Sequence, residues 1–134
     1  MNRSTFDQII DALHPAGDCP VGYPRFEYYL FLDDERYPTD ITDVDLSLFR
    51  IARNFDDAVW YIRTFGMPGW ISFDHDLGAP ANRTGMDFAK WLVDYMIDND
   101  IPADLLRFDV HSQNPIGAEN IRSYLNQYKQ QYDV

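Results

Sequence analysis

Apolar positions along the chain fall into short solid runs that alternate with helical stripes. Tyr28-Tyr29-Leu30-Phe31-Leu32 is a near-continuous apolar run that stops at Asp33-Asp34. Apolar on both faces, it predicts a strand buried on both sides, as in a parallel sheet covered by helices. A weaker strand over Phe49 to Arg53 leads into a helix from about Asp56 to Phe65, with Val59 and Ile62 inward and Gly66 and Pro68 closing it. Trp70-Ile71-Ser72-Phe73 predicts a further strand, running into Asp74-His75-Asp76. After the loop Leu77 to Arg83, Thr84 and Asp87 stand at capping-box spacing. The helix that follows carries Ala89, Leu92, Val93, Met96 and Ile97 as one apolar stripe. A last strand, about Leu106 to Val110, ends at His111-Ser112. Asn114-Pro115 then supply an N-cap and a first-turn proline to a helix with Ala118, Ile121, Leu125 and Tyr128 inward. Ahead of all this, Ser4 to Leu13 predicts a short helix with Phe6, Ile9, Ile10 and Leu13 on one side, followed by a connector punctuated by Pro20, Gly22 and Pro24.

Strand, helix, strand, helix, strand, helix predicts an α/β fold: a three-layer parallel sheet of about four strands with flanking helices, plus the N-terminal helix. The division expected is an N-terminal helix and connector over 1–27 and an α/β domain over 28–134. In such sheets ligands bind outside the carboxyl ends of the strands, and the polar residues here lie at those ends. No apolar stretch approaches the length needed to span a membrane, and the first residues lack the apolar core of a signal peptide. With Cys19 as the one cysteine, no internal disulfide forms, and a cytoplasmic location is expected.

Composition changes this picture in one respect. The formal charge is −11, and the acids are 19 Asp to 3 Glu. Aromatics at 16% exclude a disordered acidic tail, and the negative balance argues against extended binding along a nucleic-acid backbone. Aspartate is a poor helix former favoured at caps, turns and cation sites, so its clustering is informative. If the three polar strand ends are neighbours, Asp33, Asp34, Asp74, His75, Asp76, His111 and Ser112 fall within roughly 10 Å of one another. Two carboxylates about 4 Å apart repel by about 4 kcal/mol at an effective dielectric near 20. Protons or a cation must neutralise such a group, and the donor set suits Mg²⁺ or Mn²⁺ held by Asp33, Asp34, Asp74 and Asp76. The carboxylates flanking His75 favour its protonated form, making it a candidate acid or phosphate contact. Arg36, Arg83 and Lys90 are the cations nearest these motifs, and Arg36, Lys90 and Asn114 are the candidate contacts to a phosphate.

Leu30-Phe31-Leu32-Asp33-Asp34-Glu35-Arg36 with Pro38, Ile71-Ser72-Phe73-Asp74-His75-Asp76-Leu77-Gly78, Thr84-Gly85-Met86-Asp87 and Val110-His111-Ser112-Gln113-Asn114-Pro115-Ile116-Gly117 together resemble the cyclic-phosphate-processing receiver-like domain of bacteria and phages. The resemblance covers about residues 28 to 128 and implies a truncated receiver-like, flavodoxin-like sheet. More distantly the layout is similar to response-regulator receivers. That likeness implies Asp33 and Asp34 as metal ligands, Asp74 as the counterpart of the phospho-acceptor and Ser112 as the hydroxyl ending the next strand. The chain departs from receivers in having no fifth strand, no matching lysine, and the added His75, Asp76 and His111.

The expectation is a metal-dependent phosphoesterase acting on a cyclic phosphate of a nucleotide or RNA end. His75 and His111 would divide the proton transfers, with Asp74 and Ser112 as the other catalytic groups. The partner expected is a small phosphorylated ligand such as a cyclic nucleotide, or an RNA terminus. One alternative is a non-catalytic receiver-like module that binds a cyclic nucleotide or a protein partner; another is an aspartyl-nucleophile phosphatase acting through Asp74. Tyr23, Phe26, Tyr37 and Trp60 could stack a base, although a core position is the ordinary fate of each.

Overall fold

In a computed structural model, which describes residues 27–40, 46–77 and 83–132, the apolar runs become four strands: β1 (Tyr29–Leu32), β2 (Phe49–Ala52), β3 (Trp70–Phe73) and β4 (Phe108–Val110). All pairings are parallel and the order is β2-β1-β3-β4. The connecting helices are α1 (Phe55–Phe65), α2 (Gly85–Asp98) and α3 (Pro115–Tyr132). The parallel sheet with flanking helices is therefore as the alternation predicts. The helix expected over Ser4 to Leu13, and with it Cys19, Tyr23 and Phe26, lies outside the described residues.

Local chemistry explains the helix starts. Asn54 caps α1, its side chain accepting from the Asp57 N–H at 2.8 Å. Thr84 and Asp87 form the expected capping box at the start of α2. Asn114 Oδ1 accepts from the Gly117 N–H at 2.9 Å in the first turn of α3. Before β4 the chain forms a 3₁₀ turn over Ala103–Leu105, so that strand begins at Phe108 rather than near Leu106.

Alternation along the strands sorts side chains between two faces. Leu30, Leu32, Ile71, Phe73 and Val110 join one core with the inward residues of α1, α2 and α3. Within that core Ala118, Ile121, Leu125 and Tyr128 of α3 are buried as expected, and Val59 of α1 packs at its margin. Ile97, expected inward on α2, is instead 42% exposed. It lies one residue from the end of the helix, where Asn99 and Asp100 turn the chain away. The opposite face carries aromatic rings: Tyr29, Phe49 and Trp70 meet edge to face, and Phe31 joins them through Phe49.

Candidate functional site

The sheet register builds the site. Leu32 is level with Phe73 and Ala52, and Phe73 is level with Val110. The ladder continues one residue further, through Asp33 N–H to Ala52 O, Asp74 N–H to Leu32 O and His111 N–H to Phe73 O. Arg53, Asp33, Asp74 and His111 thus form one row across the carboxyl edge of the sheet. By the period of two, the row shares its face with Phe31 and Ser72, one step back on β1 and β3.

Within this row the ligand atoms of Asp33, Asp74 and His111 all lie within 4.8 Å of one another. Asp33 is 1% exposed and bears four hydrogen bonds. Oδ1 accepts from the backbone N–H of Glu35 and of Arg36, each at 2.9 Å, which folds the chain back directly after the strand. Oδ2 lies 2.9 Å from Arg36 Nε and 3.0 Å from His111 Nε2. Arg36 also donates to His111 O at 3.3 Å and comes within 4.0 Å of Asp74 Oδ2. On the far side of His111, Nδ1 lies 2.6 Å from Ser72 Oγ, and the ring stacks on Phe31 at 4.5 Å between centroids. Ser112 accepts from the Asn114 N–H at 3.1 Å and acts on the neighbouring Asp74 to favour its charged form.

This environment treats the two carboxylates unequally. Burial pushes Asp33 up, but the N–H groups of Arg36 and Glu35, the His111 hydrogen bond and the Arg36 charge outweigh it and hold Asp33 below the ordinary carboxylate value. Asp74 is pushed above it, by burial first and the Asp33 charge second, with Ser112, His111 and Arg36 opposing. Burial also holds His111 below the ordinary imidazole value, against the hydrogen bond and charge of Asp33. A neutral His111 assigns its proton: a carboxylate only accepts, so Nε2–H donates to Asp33 and the Ser72 hydroxyl donates to Nδ1.

The other residues expected at the site form its surroundings. Asp34 stands at the corner of the turn made by Asp33 and is not among the three clustered groups. Asp76 is exposed; its carboxylate lies 2.9 Å from His75 Nδ1 and 3.4 Å from Asn114 Nδ2, with His75 the main cause of its lowered pKa. His75 packs its ring against Gly117, where a Cβ would overlap it. Lys90 is exposed on α2 and makes no ion pair with Asp33 or Asp74. Arg83 lies over the Phe55 ring at 4.4 Å. Of the aromatics considered for stacking, Trp60 is half-buried against Tyr61 and Phe65, whereas Tyr37 is 49% exposed under the Arg53 guanidinium.

Two participants are given no role by the sequence reading. Arg53 donates to Asp33 O at 3.1 Å and Arg36 O at 2.7 Å, bracing the turn from the neighbouring strand. Ser72 grips His111 from inside β3. The signal for Arg53 is a cation directly after an apolar strand; for Ser72 it is a hydroxyl inside one.

Two carboxylates and an imidazole nitrogen, converging in a mostly buried site where burial and then the neighbouring charge push one carboxylate up, fit a divalent cation. Among the described residues no helix is long and apolar enough to cross a membrane. No curated protein and no solved structure matches the chain. The model of the cyclic-phosphate processing receiver domain matches residues 28–127, the stretch that contains the whole sheet and the row at its carboxyl edge, and the chain belongs to that family.

Proposed function

We propose that this protein is a divalent-cation-dependent phosphoesterase that opens a cyclic phosphate on a nucleotide or an RNA end. The observation that carries the reading is the convergence of Asp33, Asp74 and His111 beside the Arg36 guanidinium. Asp33, Asp74 and His111 would hold the ion, and the nitrogen donor favours Mn²⁺ over Mg²⁺. The chemistry such an ion supplies is Lewis-acid polarisation of the phosphoryl group.

The chain's own groups account for the remaining work. Arg36 offers its guanidinium to the non-bridging oxygens while its Nε stays tied to Asp33, so the charge is held in place before substrate arrives. His111, with both ring nitrogens engaged, serves as a donor atom and not as a proton carrier. Proton transfer falls to His75, which is partly open to solvent beside Asp74 and whose Nδ1 is oriented by Asp76. Water adds to phosphorus, one ring P–O bond breaks, and the leaving oxygen takes a proton to give the monoester.

Hydrolysis of a panel of 2′,3′- and 3′,5′-cyclic nucleotides with Mn²⁺ or Mg²⁺ tests this reading. Asp74→Asn is expected to lose at least ~10²-fold in kcat/KM, and His75→Ala roughly 10²- to 10⁴-fold. Wild-type protein that returns every ligand unchanged, or full activity in both variants, overturns it.

A further inference from the structure

Ser72 is a hydroxyl inside an otherwise apolar strand, 2% exposed, and its Oγ lies 2.6 Å from His111 Nδ1. The His111 ring is held on three sides: Ser72 at Nδ1, Asp33 Oδ2 at 3.0 Å from Nε2, and the face of Phe31 nearly parallel at 6°. Phe31 fixes the plane of the ring but not which way it is turned about Cβ–Cγ. Ser72, together with Asp33, fixes that choice, because a ring turned over would present a carbon where the hydroxyl now meets a nitrogen.

We infer that Ser72 is a positioning residue that keeps His111 Nε2 aimed at Asp33 and Asp74, presenting it as the nitrogen donor of the cation site. The inference rests on the reading of those three residues as that site. Proton accounting explains why a hydroxyl suits the position. With Nε2–H donating to Asp33, Nδ1 carries a lone pair and Ser72 must donate. For Nε2 to offer its lone pair to an ion, the ring proton has to reside on Nδ1, and the same hydroxyl then accepts it. A carboxylate in place of Ser72 would satisfy only the second state, and a methyl group neither. Ligand histidines are oriented by such partners at their other nitrogen, and loss of the partner weakens ion affinity by about 10- to 100-fold.

The test combines Mn²⁺ titration calorimetry with ¹⁵N spectra of the His111 ring in wild type, Ser72→Ala and Ser72→Thr. Expected are a fall of about 10- to 100-fold in Mn²⁺ affinity for Ser72→Ala with its melting transition retained, and affinity within about threefold of wild type for Ser72→Thr, which keeps the hydroxyl. In the ion-free protein the wild-type ring should show a single tautomer protonated at Nε2, and Ser72→Ala a mixture. Unchanged Mn²⁺ affinity in Ser72→Ala overturns the inference, as does a wild-type ring already divided between tautomers. Should wild type bind no Mn²⁺, the cation reading fails, and identical ring spectra in wild type and Ser72→Ala would remove the positioning role as well. Should Ser72→Ala not fold, the wild-type spectrum decides alone.

Discussion

Asp33 and Asp74 stand side by side at the strand ends, yet they hold their charges on unequal terms. Asp33 has the backbone N–H groups, His111 and Arg36 around it, while Asp74 has Ser112, a more distant Arg36 and the repulsion of Asp33. A stability consequence follows. The folded-state pKa of Asp74 is raised above its unfolded value, so its contribution is fully favourable below the unfolded value of 3.8 and is lost as pH rises through the raised one. At neutral pH without an ion, charged Asp74 is a cost. Asp74→Asn should therefore raise stability at pH 7 by on the order of 1 kcal/mol, or about 4 °C in Tm, while losing cation affinity. The advantage should shrink as the solution is acidified through the titration of Asp74, where the wild-type side chain also becomes neutral. Thermal melts of both proteins between pH 7 and pH 4 check this, and a constant difference across that range would contradict it. His111 adds a term of opposite sign in the wild type: its pKa is lowered on folding, so stability falls as pH drops below the ordinary 6.5. The Asp74 charge opposes the lowering of His111, so in Asp74→Asn the His111 term grows and, like the lost Asp74 titration, reduces the variant's advantage as pH falls.

At the scale of elements, what was legible in the sequence is what hydrophobic period records. The four strands, three helices and the two recognised caps follow from apolar runs, stripes and Thr84-x-x-Asp87 or Asn114-Pro115 spacing. Asp33, Asp74 and His111 were legible because each directly follows such a run. Their grouping was less so, since it depends on which residues the register makes level, and register is a relation between strands. That is why Asp34 and Asp76 looked equivalent to their neighbours in sequence while Arg53, outside the motifs, and Ser72, inside one but between two apolar strand residues, were missed. Close approach between elements was equally silent. A Cβ on Gly85 would overlap the Asp74 carbonyl and the His75 backbone, whereas a Cβ on Gly117 would meet only the His75 ring. Backbone cannot yield as a side chain can. Gly85→Ala is expected to destabilise by about 1–3 kcal/mol, through displacement of the strand end that carries Asp74. Gly117→Ala should cost less, because the His75 side chain can turn about χ1 where backbone cannot, and the helix gain of about 1 kcal/mol offsets part of that displacement. Paired denaturant titrations compare them, and equal losses in the two variants would contradict the distinction.

Across the whole molecule, a formal charge of −11 sets two different responses to ions. Monovalent salt screens general self-repulsion, with a Debye length of about 10 Å at 0.1 M, and its effect should grow gradually without saturating at any particular stoichiometry. An ion bound at Asp33, Asp74 and His111 acts instead by mass action on the folded state, adding about 2.7 kcal/mol at one hundred times its Kd, which for a chain of this size is roughly 10 °C in Tm. The two responses separate experimentally because ionic strength can be held fixed while Mn²⁺ replaces Na⁺. Wild type should then show a saturable rise in Tm with Mn²⁺, and Asp74→Asn should show almost none while keeping the same dependence on NaCl as wild type. That last comparison carries the argument, since one lost charge of the acidic total scarcely alters screening but removes one of three donors. If Mn²⁺ raised Tm equally in both proteins at fixed ionic strength, the divalent ion would be acting on the diffuse acidity of the surface, and the row at the carboxyl edge of the sheet would not be its site.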